Sequence, residues 1–328
     1  MTYRMPAEWA EQDWIWIGFP AAADLWEDDL VPAQEQVAAF ANAVAATGQE
    51  VRLVVRDDVA EQQARALVLP ELVIEQHPYG DIWLRDTGPL TLLDMDGRRA
   101  ARRFGFNGWG GKYLLDGDQQ TGPSLVAAGG LEDLGRADWV LEGGAVDTDG
   151  TGLVVTTEQC LLNRNRNPSL SQADIAERLG RDLGLARVLW LGDGLLGDHT
   201  DGHVDNLARF VAPGRIAIPV AADSDDPNAA TYDEAASRAE AFGLDVVRVP
   251  SPGLIGDSED AEPASYMNFV IANRVVVVPI YGSRFDDEAV AAIGALFPGR
   301  EAVGLMADAV LTGGGSFHCC SQHVPMAL

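Results

Sequence analysis

The sequence predicts an α/β fold. Short runs rich in β-branched and aromatic residues alternate with Ala-rich stretches of helical length, the pattern of strands connected through helices. Apolar residues make up 47% of the 328-residue chain, which allows a sizeable core. No Ser/Pro-rich or charge-block linker divides it, so residues 1–328 are expected to form one domain.

Taken in order, strands are expected at 13–18, 50–55, 72–76, 152–156, 187–191, 215–220, 245–249 and 274–280, and helices at 33–47, 59–67, 171–183, 229–242 and 288–296. The first helix carries Val37, Phe40, Ala41, Val44 and Ala45 on helical spacing. Ser169 or Ser171 suits the cap of the third, and Gly184 its end. Chemistry-bearing segments recur at strand ends: 14–20, 81–89, 141–147, 198–205, 266–273 and 313–319. Their spacing is compatible with repeated units facing one centre.

The formal charge of −27 has two readings, a surface that keeps the protein soluble or one that sets the class of partner. Such a surface repels nucleic acid and anionic membranes and attracts small cations. The chain has 22 Arg and a single Lys, Lys112, which reads as a compositional bias of the source. Three Cys, two of them adjacent, make no disulfide framework, so a reducing cytoplasm is expected. The N-terminal residues show no secretory h-region, and the apolar run 275–281 is too short to span a bilayer.

The residues that carry chemistry begin near the C-terminus, in Leu311-Thr-Gly-Gly-Gly-Ser-Phe-His-Cys-Cys-Ser-Gln-His323. A thiol attacks as thiolate, and a glycine run lets backbone approach a ligand. Cys319 is the candidate nucleophile and Cys320 its competitor; in an extended segment only one would face a site. In Asp201-Gly-His-Val-Asp205, strand alternation would place Asp201, His203 and Asp205 on one face, with His203 able to deliver a proton. In Asp81-Ile-Trp-Leu-Arg-Asp86, a carboxylate beside Trp83 suits a planar cation, although an Arg85–Asp86 pair in a turn has the same signature. Glu142 precedes a tight Gly-Gly turn. A zinc site would draw on His199, His203, His318, Cys319, Cys320 and His323, but no Cys-x-x-Cys supports one, and no metal ligand is assigned. The glycines 313–315 lack the Lys and Ser/Thr that follow a phosphate-binding loop.

Together these segments resemble the agmatine deiminase family of guanidine-modifying enzymes, which is related to bacterial peptidylarginine deiminases. The resemblance also covers Met5-Pro-Ala-Glu-Trp9, Phe106-Asn-Gly-Trp-Gly-Gly-Lys112, Thr157-Glu-Gln-Cys-Leu-Leu-Asn-Arg-Asn-Arg-Asn-Pro168 and Tyr266-Met-Asn-Phe-Val-Ile-Ala-Asn273, in the family's order along nearly the whole chain. It implies a five-bladed, pseudo-fivefold α/β-propeller (the pentein fold) and a homodimer. It implies hydrolysis of agmatine to N-carbamoylputrescine and ammonia through a Cys thiouronium intermediate, in putrescine (polyamine) biosynthesis, without metal or organic cofactor. By position, Cys319 would be the nucleophile, His203 the general acid/base, and Asp86 and Asp205 the guanidinium clamp. Glu142 would support the His and a substrate nitrogen, and Trp83 and Trp109 would line the substrate channel. The chain departs from the family's pattern at Ala145, Ser316, Cys320 and His323.

Two other readings stand beside it. One is another guanidine enzyme: a free-arginine or peptidylarginine deiminase, or an amidinotransferase. An α-carboxylate would call for a pocket Arg, with Arg164, Arg166 and Arg284 as candidates. The other is a non-catalytic cation or metal binder, which would need no thiol.

Overall fold

The computed structural model describes residues 3–256 and 262–327. Residues 1–2, 257–261 and 328 of the expected domain lie outside the described set.

Five small sheets repeat one plan. In the second, β4 (Leu90–Leu93) pairs antiparallel with β5 (Arg99–Gly105), and β5 pairs parallel with β6 (Glu132–Val140). The third repeats it with β7 (Asp147–Thr148), β8 (Leu153–Thr157) and β9 (Arg187–Leu191). The fourth uses β10 (Arg209–Ala212), β11 (Arg215–Val220) and β12 (Asp245–Pro250). The fifth uses β13 (Val270–Ile271), β14 (Val275–Ile280) and β15 (Glu301–Met306). The first sheet comes from both ends of the chain. β16 (Ser321–Pro325) lies antiparallel to β1 (Gln12–Gly18), which continues in parallel to β2 (Glu50–Val55) and β3 (Val73–Gln76).

A parallel pair needs a crossover, and each has a helix. These are α1 (Leu30–Ala45) and α2 (Asp58–Leu67) in the first sheet, and α3 (Asp118–Ala128), α4 (Gln172–Leu183), α5 (Ala229–Phe242) and α6 (Asp286–Gly294) in the others. Helix α4 starts where expected: Ser171 and Asp174 form a reciprocal capping box, and Gly184 ends it in the left-handed region. Predicted strands at 50–55, 187–191 and 215–220 and the helix at 229–242 coincide with the observed elements.

The whole second sheet with α3 escaped prediction. Four of the nine residues of β6 are exposed and charged (Glu132, Asp133, Arg136, Asp138), and α3 has Pro123 inside it. The lead strands β7 and β13 are two residues long and fully buried, too short to show a period. Each sheet's last strand ends in a loop and a short helical turn before the next sheet. These turns, at 84–87, 143–145, 204–206 and 266–268, contact one another in succession. The ring closes where Asn268 receives the backbone N–H of His318 and where Arg85 N–H donates to the Cys319 carbonyl at 3.0 Å. The architecture is a five-bladed α/β-propeller, and its centre lies where the five turns meet.

Candidate active site

Every residue singled out in the sequence for the reacting centre lies on this ring of turns. Cys319 sits in the turn before β16 and is 5% exposed. Its Sγ lies 3.7 Å from Asp205 Oδ2 and accepts a hydrogen bond from Asn268 Nδ2 at 3.1 Å. Asn268 cannot flip its amide. Its Oδ1 accepts the backbone N–H groups of His318 (2.9 Å) and Cys319 (3.3 Å), and its Nδ2 also donates to Asn206 Oδ1 (2.8 Å). Cys320, by contrast, is fully buried and turns its thiol to the Phe317 carbonyl. Only one of the two thiols faces the cavity, as expected, but the segment that separates them is a turn, not a strand.

His203 is fully buried. Its Nδ1 lies 3.8 Å from Asp86 Oδ1, and its Nε2 lies 3.9 Å from Glu142 Oε2. Cys160 joins Glu142 and His203 in a buried group whose donor atoms lie within 4.8 Å of one another. Asp86 accepts the Trp109 indole N–H at 2.9 Å and the Gly144 N–H at 3.0 Å. Asp205 Oδ2 faces His318 Nδ1 at 2.7 Å, and His318 Nε2 faces Glu8 Oε2 at 2.7 Å. Asp205 Oδ1, Glu142 Oε2 and both ring nitrogens of His203 are among the buried polar atoms that have no hydrogen-bond partner among the described residues.

The Gly-Gly after Glu142 is required by crowding. A Cβ on Gly144 would stand 2.5 Å from His203 Nδ1, 3.1 Å from Asp205 and 3.2 Å from Asp86. One on Gly315 would meet the Trp83 ring at 2.6 Å. These glycines let backbone pass where the catalytic side chains converge.

Burial alone would raise Cys319, and the Asp205 and Asp86 carboxylates add to it, so the thiol titrates well above the ordinary range. Burial would lower His203, but Asp86, with Cys160 and Glu142, overrides it and holds the imidazole well above its usual value. Burial raises Asp86. It would also raise Asp205 and Glu142, but His318 holds Asp205 below the ordinary range, and His203 and Arg166 do the same for Glu142. The centre therefore pairs a neutral thiol with a protonated imidazole and several carboxylates.

A cavity of about 180 Å³ leads to Cys319 and Asp86 past Trp26, Trp83, Trp109 and Tyr113. Trp83 and Trp109 thus lie where the channel was expected. The cavity lining contains no Arg or Lys. Arg166 instead donates to Glu142 Oε1 (2.9 Å) and the Thr200 carbonyl (2.8 Å) and pairs with Asp201. Arg284 is an exposed partner of Asp223, and Arg164 is exposed. Ala145, Ser316, Cys320 and His323 do not line the cavity either.

Two expectations are corrected. Asp201 does not share a strand face with His203. It sits at φ 64° in a turn and is held by Lys112 at 2.6 Å as well as by Arg166. Arg85 does not pair with Asp86 but points away, donating to the His318 carbonyl and to Gln322. The six residues weighed for zinc do not gather: His199 lines the cavity near Tyr113, His318 is spent between two carboxylates, and His323 lies beside Arg85. Asn268, Cys160 and Glu8 were missed as site residues. Only the first had a signal, the polar Asn within the otherwise apolar run after Tyr266.

The model of the Porphyromonas-type peptidyl-arginine deiminase family matches residues 4–325. A Vibrio parahaemolyticus protein, provisionally named an agmatine deiminase, is 36% identical over 352 aligned positions, covering 98% of this chain and 97% of its own. The solved agmatine deiminase of Enterococcus faecalis is 32% identical with a TM-score of 0.92, covering 99% of this chain and 96% of that one. A Cys-to-Ser agmatine deiminase of C. jejuni, solved with substrate bound, is 28% identical with a TM-score of 0.92, covering 100% of this chain and 97% of that one.

Proposed function

This chain belongs to the Porphyromonas-type peptidyl-arginine deiminase family, and we propose that it hydrolyses agmatine to N-carbamoylputrescine and ammonia. One observation carries the reading: Asp86, Asp205 and His203 converge around the Cys319 thiol at the end of a cavity with no Arg or Lys in its lining. That set fits a cationic carbon. Among the described residues it offers no guanidinium or ammonium to the α-carboxylate of arginine, which favours a decarboxylated guanidine.

Asp86 and Asp205 grip the planar guanidinium through its N–H groups and turn its central carbon toward Cys319. The bound cation offsets the two carboxylates that keep the thiol protonated, so the thiol gives up its proton to solvent as substrate seats. Asn268 donates its N–H to the resulting thiolate. The sulfur adds to the carbon, giving a tetrahedral adduct. His203 gives its proton to one nitrogen, which leaves as ammonia, and a thiouronium remains on Cys319. The now neutral His203 takes a proton from water as its oxygen adds to the same carbon. Collapse expels the thiolate, which takes up the hydroxyl proton, and frees the neutral ureido product. Glu142, itself held by Arg166, keeps the imidazole oriented. Trp83 and Trp109 wall the channel, and the Trp109 indole fixes Asp86.

The whole chain acts as one catalytic domain, and a homodimer in the cytoplasm, supplying putrescine synthesis, completes the reading. Its support is the family and the three free cysteines. Among the described residues, no helix is long and apolar enough to cross a membrane. The test is product formation from agmatine with EDTA present. Ammonia and N-carbamoylputrescine in equal amounts support the reading. Turnover of arginine or peptidylarginine without agmatine turnover refutes it.

A further inference from the structure

The mechanism uses the carboxylates at the guanidinium end, yet the cavity presents one more. Asp81 lines it on the loop between β3 and the 84–87 turn and is 7% exposed. Its Oδ1 accepts the Trp26 indole N–H at 2.9 Å. The rings of Trp26 and Trp83 stack at 6.0 Å and 30°, and both line the cavity with Leu25 and Leu115.

Asp81 forms no ion pair among the described residues, and its cavity holds no Arg or Lys. Burial pushes its carboxyl up to about 6, against the pull of the Trp26 N–H. Arg56 lies close enough to pull on it but forms no ion pair with it, and a buried carboxylate without a contacting cation is costly. Here it faces the same cavity as the reacting thiol, beside two indoles. Indole faces attract cations, and the leucines suit a methylene chain.

We propose that Asp81 is the specificity carboxylate of this site: it receives the terminal ammonium of a guanidinoalkylamine whose guanidinium lies between Asp86 and Asp205. This rests on the activity proposed above and deepens it, because it says why one guanidine is chosen over others. A dicationic substrate gains a charge-assisted contact at each end. An alkylguanidine of equal length without the amine gains only one. An amino acid would bring its carboxylate toward Asp81 and be repelled.

The experiment compares agmatine with butylguanidine on the wild-type chain and on Asp81→Asn. Asn keeps an acceptor for Trp26 and removes the charge. Agmatine kcat/KM is expected to fall roughly tenfold to hundredfold, mainly through KM, with butylguanidine changed less than about twofold. A parallel fall for both substrates would reduce Asp81 to a prop for Trp26 and overturn the subsite, as would an unchanged preference. Calorimetry on Cys319→Ser, with and without Asp81→Asn, reads binding free of turnover, and equal agmatine affinities overturn the subsite as well. A wild type that releases no ammonia from agmatine overturns the activity itself. An active wild type whose preference survives Asp81→Asn overturns the Asp81 assignment alone.

Discussion

The proposed mechanism requires Cys319 to stay a neutral thiol until a cation arrives. Burial and then Asp205 and Asp86 hold it protonated, so iodoacetamide is expected to label it slowly at pH 7. Labelling should accelerate beyond the ordinary thiol range of about 8.5. A labelling rate already at its plateau at pH 7, followed by mass spectrometry of the Cys319 peptide, would contradict this. Asn268→Ala removes the N–H that faces the sulfur. It is expected to cut kcat by about 10² to 10³, the scale of losing one donor aimed at developing charge, with little change in KM. Steady-state kinetics on agmatine checks that split. At this scale the sequence was legible where the chemistry is local. Cys319 follows its glycine run, His203 and Asp205 are two residues apart, and Asp86 lies in a polar turn. Asn268, Cys160 and Glu8 were not legible because each reaches its partner across 43 residues or more, through the meeting of blades. Asp201 misled because its turn, with φ 64°, looks like strand alternation when only spacing is read.

The same logic explains the elements. A turn that carries a catalytic residue must approach its neighbours closely, so Gly144→Ala is predicted to displace His203, whose Nδ1 a new Cβ would meet at 2.5 Å. Agmatine turnover should fall at least about a hundredfold, while the circular dichroism spectrum stays that of the parent. Wild-type kinetics in that variant would show that the ring of turns yields more easily than its packing implies. Away from the site, Ser171→Ala removes the side-chain half of the α4 capping box and leaves the backbone N–H of residue 171 on Asp174. It should cost about 1 kcal/mol in urea unfolding without touching catalysis. Capping and helical periodicity made α4 and α5 readable. The buried lead strands and partly exposed, charged β6 gave no comparable pattern, since pairing between blades decides them rather than local preference.

The chain closes its ring by laying β16 beside β1, and Glu8 ties the centre beneath it. Its carboxylate meets Arg209 at 2.7 Å, His318 at 2.7 Å and the Ile271 N–H at 2.8 Å, joining three blades. Burial would raise Glu8, but Arg209 and His318 hold it well below its ordinary 4.5. A carboxyl lowered by folding stabilises the fold fully above its unfolded value. That contribution drains away as pH falls through the depressed folded value. Glu8→Gln should therefore lower the melting temperature at pH 7 and flatten its fall in acid below about pH 4.5, read by calorimetry across pH. A parallel acid limb in both proteins would remove Glu8 from the account. Fivefold repetition was only hinted at by site segments recurring at strand ends; the family resemblance, not the spacing, supplied the propeller. The most direct test of the whole account is acid-quenched mass spectrometry during agmatine turnover. A transient adduct of agmatine less ammonia is expected on the Cys319 peptide and is expected to be absent in Cys319→Ser. Product formation with that adduct on Cys320 or Cys160 instead, or undiminished turnover by Cys319→Ser, would contradict it.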